Sequence, residues 1–241
     1  MKNVLITGAS RGIGAACALL FGKAGYRVFV NYNKSEKQAE AVCEKIKTAG
    51  GEAYAIQADV TDTAAVRRMV SLCKYHGGGL DVLVNNAGID FYGTFEETTP
   101  EIWDNVIKTN LTGVYNAIYA ALPELKETRG IIINVSSVWG VQGGSCEAAY
   151  SASKAGVIGL TKALSKELGL SGITVNCVAP RYTDTEMNAR FDEKTVADII
   201  DRTPLSRTGT PDDVAEAVLW LASDKASFVT GAVINVDGGF M

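Results

Sequence analysis

Histidine is nearly missing from this chain, with a single residue at position 76. A Ser-His-Asp hydrolase triad therefore has one candidate base. His76 stands in the turn-like run Tyr75-His76-Gly77-Gly78-Gly79, where a loop histidine is the simpler reading. The five cysteines, Cys17, Cys43, Cys73, Cys146 and Cys177, are odd in number and form no CxxC pair. Neither a disulfide framework nor a zinc site is indicated, no metal is expected, and four of the cysteines read as small core or helix-face residues. Long apolar runs are also lacking. The longest fall far short of a membrane span, and the N-terminus enters a strand within a few residues instead of passing through a signal peptide, so the expectation is a cytoplasmic protein with no membrane partner. Charge of one sign is nowhere concentrated. The net charge is −4 with both signs interspersed, and no Lys/Arg block exists to follow a phosphate backbone, which argues against nucleic acid as a partner.

What is present is apolar material at regular intervals. With 241 residues, 47% of them hydrophobic, the chain can bury the core of one α/β domain, expected to span 1–241. Short apolar runs recur at Val4 to Ile6, Val28 to Val30, Val82 to Val84, Ile131 to Ile133, Val175 to Val178 and Ala232 to Ile234. Such runs suit strands buried on both faces of a parallel sheet. Segments of helical period lie between them, near 12–24, 35–49, 62–75, 100–126 with a break, 149–169 and 211–223, with Asp62 and Pro211 at plausible helix starts. The alternation predicts a doubly wound α/β fold with helices on both faces and ligands at the carboxyl ends of the strands. Residues 181–203 break the rhythm and read either as a mobile lid or as a surface excursion.

After the first strand comes Thr7-Gly8-Ala9-Ser10-Arg11-Gly12-Ile13-Gly14, a glycine-rich turn entering an apolar helix. A glycine-rich turn by itself is weak evidence, since turns collect glycine for conformational reasons. At a strand-to-helix junction opening a βαβ unit it becomes a pyrophosphate cradle, with backbone N–H groups and the positive helix end holding the anion. Further on, Tyr150-Ser151-Ala152-Ser153-Lys154 opens a predicted helix, and residues four apart share a face. A free phenol has a pKa of about 10, and a neighbouring cation favours the phenolate. Lys154 supplies that cation. Ser137, at the end of the Ile131 to Val135 run, can hydrogen-bond the oxygen that Tyr150 protonates.

The Gly-x-x-x-Gly-x-Gly spacing, the Asn85-Asn86-Ala87-Gly88 and Thr109-Asn110-Leu111 runs, and the order Asn110, Ser137, Tyr150, Lys154 resemble the short-chain dehydrogenase/reductase family along the whole chain. The resemblance implies a Rossmann fold with a parallel sheet of about seven strands, a catalytic tetrad of Asn110, Ser137, Tyr150 and Lys154, and a homotetramer. It makes Ser137, rather than the adjoining Ser136, the catalytic serine, and gives Asn110 a water that links Lys154 to solvent. It assigns cofactor contacts to Gly8, Ser10, Arg11, Gly12, Ile13, Gly14, Asn33, Asp59, Val60, Asn86, Ala87, Gly88, Tyr150, Lys154, Pro180, Thr183 and Thr185. The second strand ends Val30-Asn31-Tyr32-Asn33-Lys34 with no carboxylate; Tyr32 stands where NAD-dependent members carry Asp, and Arg11 and Lys34 offer cations. NADP(H) is therefore the expected cofactor. In pattern the chain is similar to the bacterial 3-oxoacyl-[acyl-carrier-protein] reductases, which implies reduction of a small-molecule or carrier-bound ketone and a role in fatty acid biosynthesis. Free ketones such as steroids or sugars form an alternative substrate class, and a non-catalytic NADP-binding scaffold a third reading. The departures lie on the substrate side: Arg181 in place of glycine, Ile89-Asp90-Phe91-Tyr92, and Cys146-Glu147-Ala148, with Cys146 expected near the substrate mouth.

Overall fold

The computed structural model describes residues 1–240 and arranges them around one seven-stranded parallel sheet. Its strands are β1 (Asn3–Ile6), β2 (Arg27–Tyr32), β3 (Glu52–Gln57), β4 (Val82–Asn85), β5 (Ile131–Val135), β6 (Thr174–Pro180) and β7 (Val233–Val236), ordered β3-β2-β1-β4-β5-β6-β7. The chain winds outward from β1 to β3, then returns to place β4 on the other side of β1. That reversal opens a crevice at the carboxyl ends of the strands. The connections carry α1 (Gly12–Lys23), α2 (Glu36–Thr48), α3 (Thr63–Gly77), α4 (Pro100–Ile107), α5 (Gly113–Thr128), α6 (Val138–Gln142), α7 (Ala148–Leu168), α8 (Glu193–Asp201) and α9 (Pro211–Leu221). Among the described residues, no helix is long and apolar enough to cross a membrane.

The two-residue period of the strands sorts the core into two layers. Val4, Ile6, Val28, Val30, Val82 and Val84 meet Phe21, Ile46 and Val218 from α1, α2 and α9. Leu5, Phe29, Leu83, Ile132 and Val175 point the other way, onto Met69, Leu125 and Val157 from α3, α5 and α7. Every residue of β1 and β4 is buried, which is why those strands read as unbroken apolar runs. Strand β3 shows the converse. It is an edge strand in which only Ala53 and Ile56, three residues apart, are buried, one in each core layer, so it offers no apolar run to find.

Two local features differ from the sequence expectation, and a third gives an expected break its form. His76 is helical, not a loop residue: it lies in the last turn of α3, with its ring stacked 4.5 Å from that of Tyr54. The expected break in the 100–126 helix is a π-helical turn, Lys108–Thr112, joining α4 to α5. The irregular stretch 181–203 contains α8, whose start is marked by Asp192 accepting the Thr195 N–H.

The start of α9 is held by a capping box, in which the Thr210 hydroxyl and the Asp213 carboxylate each serve the other's backbone N–H. Arg207 donates to both oxygens of the same carboxylate, at 2.7 and 2.8 Å, and that pairing holds Asp213 well below the usual carboxylate range. A depressed folded-state value means stabilisation that is complete at neutral pH and lost only in strong acid. Asp213→Ala is expected to lower stability by about 1–2 kcal/mol, the scale of a lost cap, with a fall in Tm of roughly 2–8 °C in melts at pH 7.

Candidate active site

The turn between β1 and α1 is folded back against the end of β4. At Gly8, with φ +63°, an added Cβ would lie 2.8 Å from the Ala87 Cα, and at Gly14 it would lie 2.4 Å from the Gly8 carbonyl oxygen. The Asn86 side chain donates to the Thr7 and Gly8 carbonyls, both at 3.0 Å, while the Thr7 hydroxyl accepts the Asn86 and Ala87 N–H groups, also at 3.0 Å. Buried Asn31 accepts the Gly8 N–H and donates to the Ile56 and Ala58 carbonyls. Thr7 and Asn31 thus fix the loop, and sequence reasoning gave neither a role; a buried polar residue inside an apolar strand was the available signal. Arg11, the N-cap of α1, makes no side-chain cap, which leaves the first-turn N–H groups of that helix without a side-chain acceptor, beside Gly8 and Gly14, where a Cβ has no room. This cradle fits a pyrophosphate.

On the far side of the loop, the exposed Arg11 guanidinium reaches Ser35 Oγ at 3.1 Å and the Glu186 carboxylate at 3.4 Å. Asn33 donates to Asp59, and the Val60 carbonyl accepts from Asn116, so Asn33, Asp59 and Val60 gather at the ends of β2 and β3. Tyr32 is placed differently from what the strand-end alignment suggests. Its ring belongs to the core beneath α2 and its hydroxyl donates to Glu36, so a carboxylate at this position would be set into apolar packing. Lys34 is exposed.

The other end of the crevice brings Ser137, Tyr150 and Lys154 to one cleft, together with Ile13, Asn86, Gly88, Pro180, Thr183 and Thr185 from the expected cofactor set. Gly12 adjoins Thr185, within 3.4 Å of its methyl for an added Cβ, which links the cradle to this cleft. Ser137 caps α6, accepting the Trp139 N–H at 3.2 Å, whereas Ser136 turns away to donate to the Lys154 carbonyl at 2.8 Å. Lys154 donates its ammonium to the Val135 carbonyl at 2.9 Å and lies 5.6 Å from the centroid of the Tyr150 ring. Burial pushes the Lys154 ammonium down to about 8. Burial also pushes the Tyr150 phenol up, Glu147 adds to this, and a hydrogen bond with Ser137 opposes it. The phenol is therefore held protonated in this structure, and the lowering expected from Lys154 is not what dominates. Asn110, fully buried in the π turn, pairs with both backbone groups of Ile89 at 2.8 Å and donates to Ser153 at 3.1 Å. π turns of this kind often sit at functional sites.

Residues 181–203 are no surface excursion, because Tyr182, Met187, Asn188, Arg190 and Phe191 wall the substrate end of the cleft. Trp139, Asp90 and Glu147 complete that wall. Sequence reasoning flagged Asp90 and Glu147 only as departures from a pattern and missed the aromatic lining, whose register within an irregular segment has no periodicity to reveal it. Cys146 is corrected by its neighbour: it adopts φ +61° and gives its carbonyl to Gly93, and it is Glu147, not Cys146, that lines the cleft. No group of three or more His, Cys, Asp or Glu positioned to hold a metal occurs among the described residues.

Comparison with known proteins places this geometry. A family model described as enoyl-(acyl carrier protein) reductase matches residues 8–241. A 3-oxoacyl-[acyl-carrier-protein] reductase of Staphylococcus aureus is 46% identical over 239 residues, covering 99% of this chain and 97% of the relative. The corresponding reductase of Thermotoga maritima is 41% identical, with coverage of 100% and 98%. Among solved structures, a dehydrogenase/reductase of Sinorhizobium meliloti superposes with a TM-score of 0.94 at 40% identity, covering 99% of this chain and 94% of that one. The 3-oxoacyl-[acyl-carrier protein] reductase of Brucella melitensis superposes with a TM-score of 0.93 at 38% identity, with coverage of 100% and 91%. With a doubly wound sheet, a glycine cradle at its switch point and near-complete alignment to such reductases, the chain belongs to the short-chain dehydrogenase/reductase family of oxidoreductases.

Proposed function

We propose that residues 1–241 act as one NADPH-dependent reductase domain that converts a ketone to a secondary alcohol, with 3-oxoacyl thioesters on an acyl carrier protein as the substrate class. The observation that carries this reading is the convergence of Ser137, Tyr150 and Lys154 on a cleft that also reaches Ile13 and Thr185 beside the glycine cradle. Gly8, Ser10, Gly12, Ile13, Gly14, Asn86, Ala87 and Gly88 would hold the pyrophosphate and nicotinamide side, Asn33, Asp59 and Val60 the adenine side, and Pro180, Thr183 and Thr185 the carboxamide. When bound, the nicotinamide supplies the hydride. Tyr150 gives its phenol proton to the substrate oxygen as that oxygen gains charge, and Ser137 donates a hydrogen bond to the same atom. A phenol held protonated by burial is loaded for this step, and the Lys154 ammonium beside its ring stabilises the phenolate that remains. Lys154 would also hold the nicotinamide ribose, and Asn110 would support a water through which the proton is replaced. We place the enzyme in the cytoplasm as a homotetramer.

Oxidation of NADPH, measured against acetoacetyl thioesters, decalones, hydroxysteroid ketones and simple keto esters, tests the reading. Turnover of the thioester supports it, turnover of other ketones alone moves the enzyme to the free-ketone class, and none at all leaves a binding scaffold. The cofactor preference has its own test in Arg11. A guanidinium about 4 Å from a 2′-phosphate is worth roughly 1–4 kcal/mol between bulk-water and protein-surface dielectrics. Arg11→Ala is expected to lower kcat/KM for NADPH by about tenfold or more, with NADH little changed. Initial rates with both cofactors measure it. Arg11 is a cleaner probe than Tyr32, whose replacement by Asp would also strip a ring from the core.

A further inference from the structure

Reduction of a simple ketone makes no use of three charged side chains at the substrate end of the cleft: Asp90 after β4, Glu147 at the N-cap of α7, and Arg190 ahead of α8. Glu147 is the unusual one. It lines the cleft with Tyr150, three residues ahead of it, and is only 8% exposed. Among the described residues its carboxylate accepts no hydrogen bond, and its ion-pair partner is Arg190 Nη2 at 4.0 Å. The other terminal nitrogen of that guanidinium is already paired with Asp90. Two carboxylates thus share one cation, and burial pushes Glu147 up to about 7, with Arg190 lowering it and Asp90 raising it. The remaining cations of the cleft are committed elsewhere: Lys154 to the Val135 carbonyl, and Arg181 to Thr203 and the face of Phe240.

The surroundings of Arg190 show what this corner accommodates. Its guanidinium lies 4.8 Å from the Phe191 ring centroid and 5.3 Å from that of Tyr92, so two aromatic rings and two carboxylates meet the same cation. That is the lining of a site for an organic cation, filled here by a residue of the protein's own irregular segment. Glu147 lines the same cleft as Tyr150 and its charge acts on the Tyr150 phenol, so a substrate whose carbonyl meets Tyr150 can place a second group against Glu147.

We propose that Glu147, supported by Asp90 and the rings of Tyr92 and Phe191, selects ketones that carry a cationic nitrogen a few bonds from the carbonyl. The proposal rests on reading the cleft as a ketone-reducing site, and it names a substrate class that the acyl thioester reading does not contain. In this role Arg190 is a tethered competitor that an incoming cation displaces.

The test compares 1,1-dimethyl-4-oxopiperidinium with 4,4-dimethylcyclohexanone, two ketones of the same shape that differ in a permanent positive charge. Calorimetric titration of the NADP⁺ complex, in which no reduction occurs, reads their relative affinity without turnover. The wild type is expected to bind the cationic ketone at least tenfold more tightly, Glu147→Gln to bring the ratio close to one, and Arg190→Met to raise it above wild type. A wild-type ratio of one or less, failure of the cationic ketone to bind, or a ratio unmoved in a folded Glu147→Gln protein overturns the proposal. Should Glu147→Gln not fold, a ratio that fails to rise in Arg190→Met does the same. Turnover of acetoacetyl thioester by the wild type is measured in parallel. Its loss would count against ketone reduction itself, while the affinity ratio still decides the role of Glu147.

Discussion

Tyr150→Phe is expected to bind NADPH as the wild type does and to turn over at least ~10²-fold more slowly, the scale of a lost general acid. The substitution removes one hydroxyl and almost no volume from a buried site. The glycine cradle, the Asn86 clamp and the Lys154 contact with Val135 lie outside that hydroxyl and keep their hydrogen bonds. What disappears is the proton donor to the nascent alkoxide, together with the hydrogen bond that Ser137 shares with the phenol. Single-turnover rates and cofactor titration by fluorescence separate the two effects. Near-normal turnover would move the proton donor elsewhere, and a parallel loss of NADPH binding would make Tyr150 a structural residue.

Gly14→Ala should do the opposite, damaging cofactor binding first. An added Cβ would stand 2.4 Å from the Gly8 carbonyl oxygen, 2.5 Å from Asn86 Nδ2 and 2.9 Å from the Ala9 Cα. Two of these atoms are backbone, and the third is the side chain that holds the loop to β4, so no flexible group can absorb the clash. Overpacking of this kind costs roughly 1–3 kcal/mol, equivalent to a fall in Tm of about 2–12 °C for a chain of this size. Because the loop itself must move, the NADPH Kd is expected to rise by at least about tenfold, a change of one further 1.4 kcal/mol. Thermal melts with and without NADPH check both: the ligand-induced rise in Tm should shrink in the variant. An unchanged shift would mean that the cradle tolerates a methyl group and does not closely approach the cofactor.

The sequence disclosed most where burial was two-sided or chemistry was local. The runs Val4 to Ile6 and Val82 to Val84 announced central strands because both of their faces are covered, and the spacing of Tyr150 and Lys154 put them on one helix face because three to four residues make a turn. Strand β3 was faint because, at the sheet edge, only Ala53 and Ile56 of its six residues are buried. The phenol was misjudged for a different reason. Proximity of Lys154 follows from spacing, but the depth of burial and the carboxylate of Glu147 act on the same hydroxyl and follow from tertiary packing alone. Asn31 and Thr7 were passed over because their work is done on backbone groups brought together from three strands. Tyr182, Phe191 and Arg190 belong to an irregular segment, where no period assigns an inward face.

The π turn at Lys108–Thr112 has a consequence for chain length. An α-helix advances about 100° per residue, so the extra residue in the wider turn offsets the register of α5 from that of α4 by about that angle. This offset lets Asn110 face Ile89 and Ser153 while Val114, Ala117, Ile118 and Ala121 still face the sheet. A continuous α-helix one residue shorter would meet one of these demands and rotate the other out of place. The number of residues between α4 and α5 is therefore set jointly by the reactive site and by the core, and a single-residue deletion there is a more severe change than most substitutions at the same positions.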